Sequence, residues 1–341
     1  MGNLCFKERI FLSPCLDLQD RQDFNKLNEP ELFLEMHRNT LVCLDEIQRL
    51  PNFFSVLRSD IDRKRHPGRF LILGSASRDM IRQSNETLAG RIAYVDLTPF
   101  LSFEVTRVDW RQHWIRGGFP NSLLSATDED SFDWRMDFVR TFLERDIPSL
   151  GFFIPAPSMG RLWRLLAHYH GQPLNFHKLA ESADLSVPTL KKYMSLLEQT
   201  YMIRILLPME ANLKKRLVKA PKMYLRDSGI LHYLLDIETI DQLLSHGSNG
   251  ASFEGYCIES ILAAMPKWRP SYFRTSAGAE IDLVMQKGNE CIVFEFKLSK
   301  APKPSRGFHE IVKVLNPSAC YVVAPVDAPF ACNSTTTITP P

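Results

Sequence analysis

Leu41-Val42-Cys43-Leu44-Asp45-Glu46 is a four-residue apolar run that ends in two acids, and its reading decides the first third of the chain. So short and unbroken an apolar run reads as a strand buried on both faces of a parallel sheet. Phe70-Leu71-Ile72-Leu73 repeats the pattern and ends in Gly74-Ser75. Between them Phe53, Phe54, Val56, Leu57 and Ile61 fall in a helical rhythm over Phe53 to Arg65, closed by Pro67-Gly68. Strand, helix, strand is the pattern of an α/β layer fold, whose parallel strands present chemistry at their C-terminal ends. Asp45 and Glu46 stand at such a tip. Phosphoryl transfer to water needs one carboxylate for the Mg²⁺ shell and a second group to orient the water. An apolar run ending in Asp-Glu also opens ordinary loops, so the pair needs company.

Composition bounds the rest. With 341 residues, 45% hydrophobic and 23% charged, the chain has room for two or three folded domains and is not disordered overall. A net charge of +2 with interspersed signs leaves partners open, because basic residues can still cluster on one face. The seven cysteines are scattered and form no C-x-x-C pair, which argues against a disulfide framework or a zinc site. No apolar stretch is long enough to span a membrane, and the start lacks the apolar segment of a signal peptide. The chain reads as cytoplasmic.

Two further segments accompany the acidic pair. Ser75 follows the second strand, where a small hydroxyl can sense a γ-phosphate; Ser77 reads equally as the cap of the next helix. Arg91 follows Gly90 at a helix end, a place from which an arginine finger can reach phosphates, although isolated surface arginines are common. Taken in order, Asp45 to Pro51, Leu71 to Ser77 and Glu86 to Phe100 resemble the AAA module of a large bacterial and archaeal group of ATP-binding proteins. In that group a C-terminal domain of unknown function follows the ATPase. Phe142 to Pro148 and Pro221 to Leu235 extend the likeness, which runs from about Leu16 to Val323.

The resemblance implies ATP and Mg²⁺ as cofactors. It implies Asp45 as metal ligand, Glu46 as base, Ser75 as sensor and Arg91 as a finger acting in trans within an oligomer. It also implies a glycine-rich loop ending in Gly-Lys, whose amides and lysine cradle the phosphates. None of the 16 glycines here is followed by Lys. The reading therefore expects a partial AAA sheet, cut short at its front and impaired in nucleotide binding.

The middle of the chain is helical: Asp133 to Ile147, Met159 to Tyr169, then the close pair Asn175 to Ala183 and Val187 to Thr200. Ser186 caps the last helix and Pro188 sits in its first turn. An apolar strand from Tyr201 to Leu207 follows, then the basic segment Lys214, Lys215, Arg216, Lys219, Lys222. This is the order of a winged helix-turn-helix. On that reading Lys191, Lys192 and Tyr193 face DNA; otherwise the unit joins proteins or domains and its lysines are merely solvated.

Toward the end, Ala279-Glu280-Ile281-Asp282-Leu283-Val284-Met285 and Cys291-Ile292-Val293-Phe294-Glu295-Phe296-Lys297 read as a hairpin turning at Lys287-Gly288-Asn289. Glu295 and Lys297 leave one face, with Asp282 opposite. Upstream, Glu254 opens an amphipathic helix. Carboxylates at Glu254, Asp282 and Glu295 can chelate Mg²⁺ and Lys297 can stabilise a phosphorane-like charge. The series resembles the restriction-endonuclease-like PD-(D/E)xK core. Cross-strand ion pairs on a solvent-facing sheet give the same alternation.

The expected fold is thus α/β: a partial AAA module over 1–108, a helical and winged-helix region over 109–245, and a small nuclease-like α/β domain over 246–330. A disordered Ser/Thr/Pro-rich tail completes it over 331–341. Three functions follow: an ATPase-like switch whose C-terminal part binds DNA or a protein partner, a Mg²⁺-dependent nuclease, or a binding module without catalysis.

Overall fold

The structure, a computed structural model, describes residues 13–74, 88–105, 107–210 and 218–341. Ser75, Ser77, Glu86, Lys214, Lys215 and Arg216 lie outside the described residues. The chain divides into two units, Met1–Asp96 and Leu97–Pro341.

The first unit is built on β1 (Cys15–Asp17), β2 (Val42–Asp45) and β3 (Phe70–Ile72), with α1 (Arg21–Asn25), α2 (Pro30–Met36) and α3 (Phe53–Arg63) between them. The strands lie in the order β1-β2-β3 and are all parallel, registered Asp17↔Asp45 and Val42↔Phe70. Both apolar runs are therefore strands. Leu16, Val42 and Leu44 pack with Leu34, Phe53, Phe54 and Leu57 into one core, so hydrophobic burial fixes the sheet with its helices. The helix closes at Arg63, two residues before the expected Arg65.

The second unit begins with α4 (Trp110–Arg116), α5 (Pro120–Leu123), α6 (Asp128–Thr141) and α7 (Ala156–His168). Thr127 and Asp130 form a capping box that starts α6 five residues ahead of the expected Asp133. The helix runs on through a π-helical turn, Phe142–Asp146, to Ile147–Ser149. Next come α8 (Phe176–Ser182) and α9 (Val187–Gln199), capped by Asn175 and Ser186, then the antiparallel pair β4 (Ile203–Leu206) and β5 (Lys222–Leu225). Then α10 (Ser228–Leu234), α11 (Ile240–Ser245) and α12 (Asn249–Ala264) lead into a six-stranded sheet.

That sheet holds β6 (Arg269–Arg274), β7 (Glu280–Lys287), β8 (Glu290–Phe296), β9 (Ala319–Val323), β10 (Phe330–Ala331) and β11 (Thr336–Thr339), with α13 (Arg306–Leu315) between β8 and β9. Its order is β10-β11-β9-β8-β7-β6. Strand β7 runs antiparallel to both β6 and β8, whereas β8, β9 and β11 run parallel. Alternation splits the faces: Leu283, Met285 and Phe294 join the core of α12, while Val284 and Val293 pack with Phe308 and Ile311 of α13.

Three boundaries differ from the sequence reading. Residues 97–108 belong with the second unit, where the Phe100 amide donates to the Gly118 carbonyl at 2.8 Å. The blocks 109–245 and 246–330 share one core that includes Trp114, Tyr224, Phe253 and Leu283. The tail is ordered: β11 pairs parallel with β9 and buries Thr336 and Ile338. Its Thr-Thr-Ile-Thr run has the β-branched character of a strand, which outweighs its polar composition. Trp163 is wholly buried in the same core.

Candidate functional site

At the tip of β2 the acidic pair turns inward on its own backbone. The Asp45 Oδ1 accepts the Glu46 amide at 2.9 Å, and Glu46 adopts a left-handed conformation with φ 56°. A non-glycine residue held there marks a locally forced turn. The Gln48 side-chain amide donates to the Glu46 carboxylate. Arg91 forks onto Asp62 of α3, at 2.8 and 3.0 Å, and also reaches the Ala89 carbonyl. This fork holds Asp62 below the usual carboxylate range. A finger role for Arg91 would have to break that pair. The 341 residues hold no Gly-Lys pair, and both tip carboxylates have backbone or amide partners.

On α9, Lys191 and Lys192 are exposed, while Tyr193 is partly buried against the core. The Lys191 ammonium stands 5.2 Å from the Phe176 ring centre, a cation–π distance. Of the basic return segment, Lys219 is exposed. Lys222 is only 3% exposed, a correction to its reading as part of a solvated basic run.

The reason for the burial of Lys222 is the C-terminal acidic centre. Its ammonium lies 3.0 Å from Glu254 Oε1 of α12 and 2.6 Å from Glu280 Oε1 of β7. The Tyr224 hydroxyl also donates to Glu254, and Arg274 Nη1 lies 3.1 Å from Glu280 Oε2. Asp282 Oδ2 accepts the Phe296 amide at 2.9 Å. Burial and then the Glu254 charge push the Asp282 carboxyl up to about 8. Burial alone would weaken the Lys222 ammonium, but Glu254, Glu280 and Asp282 outweigh it and raise its pKa.

Glu295 takes a different post. It is 3% exposed and accepts the Ser305 amide through both oxygens, at 3.3 and 3.1 Å, at the start of α13. A carboxylate there is favoured by the helix dipole. Lys297 pairs with it at 2.8 Å. The four residues read from sequence thus lie in one neighbourhood: Glu295 pairs with Lys297, the Asp282 and Glu254 charges also help to raise the Lys297 pKa, and Lys222, Tyr224 and Glu280 gather on the Glu254 side. Glu280 was within reach of sequence reasoning, being two residues from Asp282 on one strand. Lys222 was not, because its partners lie 32 and 58 residues away.

Among the described residues, no group of three or more His, Cys, Asp or Glu side chains is arranged to hold a metal ion, whether with Asp45 or with Glu254, Asp282 and Glu295. No helix of the described residues is long and apolar enough to cross a membrane.

The chain is similar to known proteins along nearly its whole length. An AAA domain matches residues 5–106, a domain of unknown function (DUF8612) residues 107–241, and another (DUF4143) residues 249–340. Uncharacterized proteins of Mycobacterium tuberculosis and Mycobacterium bovis are each 37% identical over 324 residues, covering 95% of this chain and 73% of theirs. No solved structure matches it.

Proposed function

The chain belongs to one family with these mycobacterial proteins and carries an AAA, ATPase-like module; from that premise we propose that it works as a binding protein, not as a nuclease. The observation that carries this reading is the Lys222 ammonium seated between Glu254 and Glu280, which neutralises the acidic centre that a metal-dependent nuclease would keep open. On this reading the C-terminal part grips double-stranded DNA. The order α8, α9, β4, β5 is that of a winged helix-turn-helix, and Lys191 and Lys192 stand exposed on its second helix. Six described cysteines are free, which suits the cytoplasm.

The test is fluorescence anisotropy of a labelled duplex against salt. Non-specific phosphate contacts give a linear loss of log affinity with log salt, and Lys191→Ala with Lys192→Ala lowers the slope by about 2. An unchanged slope rejects DNA as the partner.

Nucleotide binding is expected to be weak in these 341 residues, because phosphate affinity in this fold comes from the loop amides and lysine. Calorimetric titration with millimolar ATP and Mg²⁺ is expected to show no saturable heat. A saturable signal lost in Asp45→Asn would restore the module as a working nucleotide site.

The nuclease reading keeps one supporting observation. Helix α12, the antiparallel β6-β7-β8, then α13 and the parallel β9 follow the order of a restriction-endonuclease-like core, with Asp282, Glu295 and Lys297 on its central strands or just past them. On that reading Glu254, Asp282 and Glu295 would ligate Mg²⁺, and Lys297 would act beside them.

A further inference from the structure

The C-terminal acidic centre already contains a cation. Lys222 reaches it from β5, its ammonium 5.4 Å from the Tyr272 ring centre, and is almost wholly excluded from solvent. Every carboxylate around it has its own donors: Glu254 takes Lys222 and Tyr224, Glu280 takes Lys222 and Arg274, and Asp282 takes the Phe296 amide. A divalent ion needs carboxylate oxygens at about 2.0–2.6 Å on several sides at once. The ammonium occupies the space between the two glutamates where such an ion would sit, and its charge repels a second cation at that range.

We infer that Lys222 is a resident counter-ion that closes the Glu254–Glu280–Asp282 centre to divalent cations. The inference rests on the reading of this part as a binding domain and gives its physical cause. The lysine stands in for a metal: it neutralises the carboxylates and ties the two-stranded β4–β5 unit to α12 and β7 in a single closed arrangement. Removing the charge while keeping an apolar stem leaves two adjacent carboxylates with an open place between them. Such a pair binds a divalent ion, because losing one repelling charge at about 4 Å changes affinity by about 100-fold or more.

Mn²⁺ binding, read by electron paramagnetic resonance on the full chain without nucleotide or nucleic acid, tests this. In the wild-type chain Glu254→Gln is expected to leave Mn²⁺ binding unchanged. Lys222→Met is expected to add a site at least about 100-fold tighter than any the wild type shows, lost again when Glu254→Gln is combined with it. Lys222→Arg, which keeps the charge, is expected to add none. Wild-type Mn²⁺ binding that disappears in Glu254→Gln overturns the inference, as does a folded Lys222→Met chain that gains no site. Should Lys222→Met not fold, the wild type against Glu254→Gln decides alone. Mn²⁺ bound by the wild type and lost in Glu254→Gln, without DNA cleavage, overturns the resident counter-ion and leaves the binding reading standing; DNA cleavage overturns that reading itself.

Discussion

Gly229→Ala is expected to destabilise the second unit by about 3 kcal/mol or more. A Cβ at Gly229 would stand 2.1 Å from the Arg116 carbonyl oxygen, 2.5 Å from its carbon and 2.9 Å from the Gly117 amide nitrogen, all backbone that cannot rotate away. Buried hydrogen bonds hold these two backbone segments together. Arg135, wholly buried on α6, donates to the Ile115 carbonyl at 3.1 Å and the Gly229 carbonyl at 3.0 Å. Asp227 accepts the Gly118 and Ile230 amides, each at 2.8 Å. Gly117 itself has φ 76°, a left-handed turn that lets α4 end against the start of α10. At about 2–4 °C per kcal/mol for a unit of this size, the melting temperature should fall by about 6–12 °C. Gly250→Ala is the control, since nothing lies within 4 Å of its Cβ position. Equal melting of Gly229→Ala and wild type would falsify this account of the junction.

The second large effect is on pH. His170 and His232 are buried, 3% and 0% exposed, and burial lowers both to about 3. The sign follows from their unfolded value of about 6.5: the unfolded chain binds two protons that the folded chain refuses, so stability falls as pH drops below about 6.5. Asp282, raised to about 8, works the other way. The folded chain holds its proton where the unfolded chain does not, so its stabilisation is lost as pH rises toward 8. One such group changes stability by about 1.4 kcal/mol per pH unit, and below pH 6.5 the two histidines outnumber the one aspartate. Asp227, which burial also raises, blunts the acid limb nearer the ordinary carboxylate range. Stability measured by urea unfolding is expected to peak near pH 6–7, losing about 2 kcal/mol by pH 8 and a similar amount by pH 5. Asp282→Asn should flatten the alkaline limb and steepen the acid one, where the aspartate no longer opposes the histidines. An alkaline limb that survives in that variant rules out Asp282 as its source.

Local signals carried the sequence reading, and long-range pairing marked its limit. The apolar run ending in Asp45 could be read because a buried parallel strand leaves an unmixed hydrophobic signature. Helices α8 and α9 announced themselves by Asn175, Ser186 and Pro188, and the β7–β8 hairpin by the turn at Gly288, whose φ is 58°. The acidic centre was half legible. Asp282, Glu295, Lys297 and Glu254 lie on elements whose period fixes their faces, but no local rule says that Glu295 would be spent on the start of α13. Lys222 sat at the end of a basic run, where a solvated lysine is the ordinary expectation; only the approach of β5 to α12 and β7 converts it into a buried counter-ion. The Arg135–Asp227–Gly229 junction was silent for the same reason, since it joins residues from three helices through backbone carbonyls and amides.

The central claim is that the C-terminal part binds without cutting. Its most direct test is incubation of the full chain with end-labelled duplex DNA and Mg²⁺ or Mn²⁺, comparing wild type with Asp282→Asn and Lys297→Ala. The account predicts no cleavage above background in any of the three. Products formed by the wild type and absent from both variants would contradict it and make Asp282 and Lys297 catalytic.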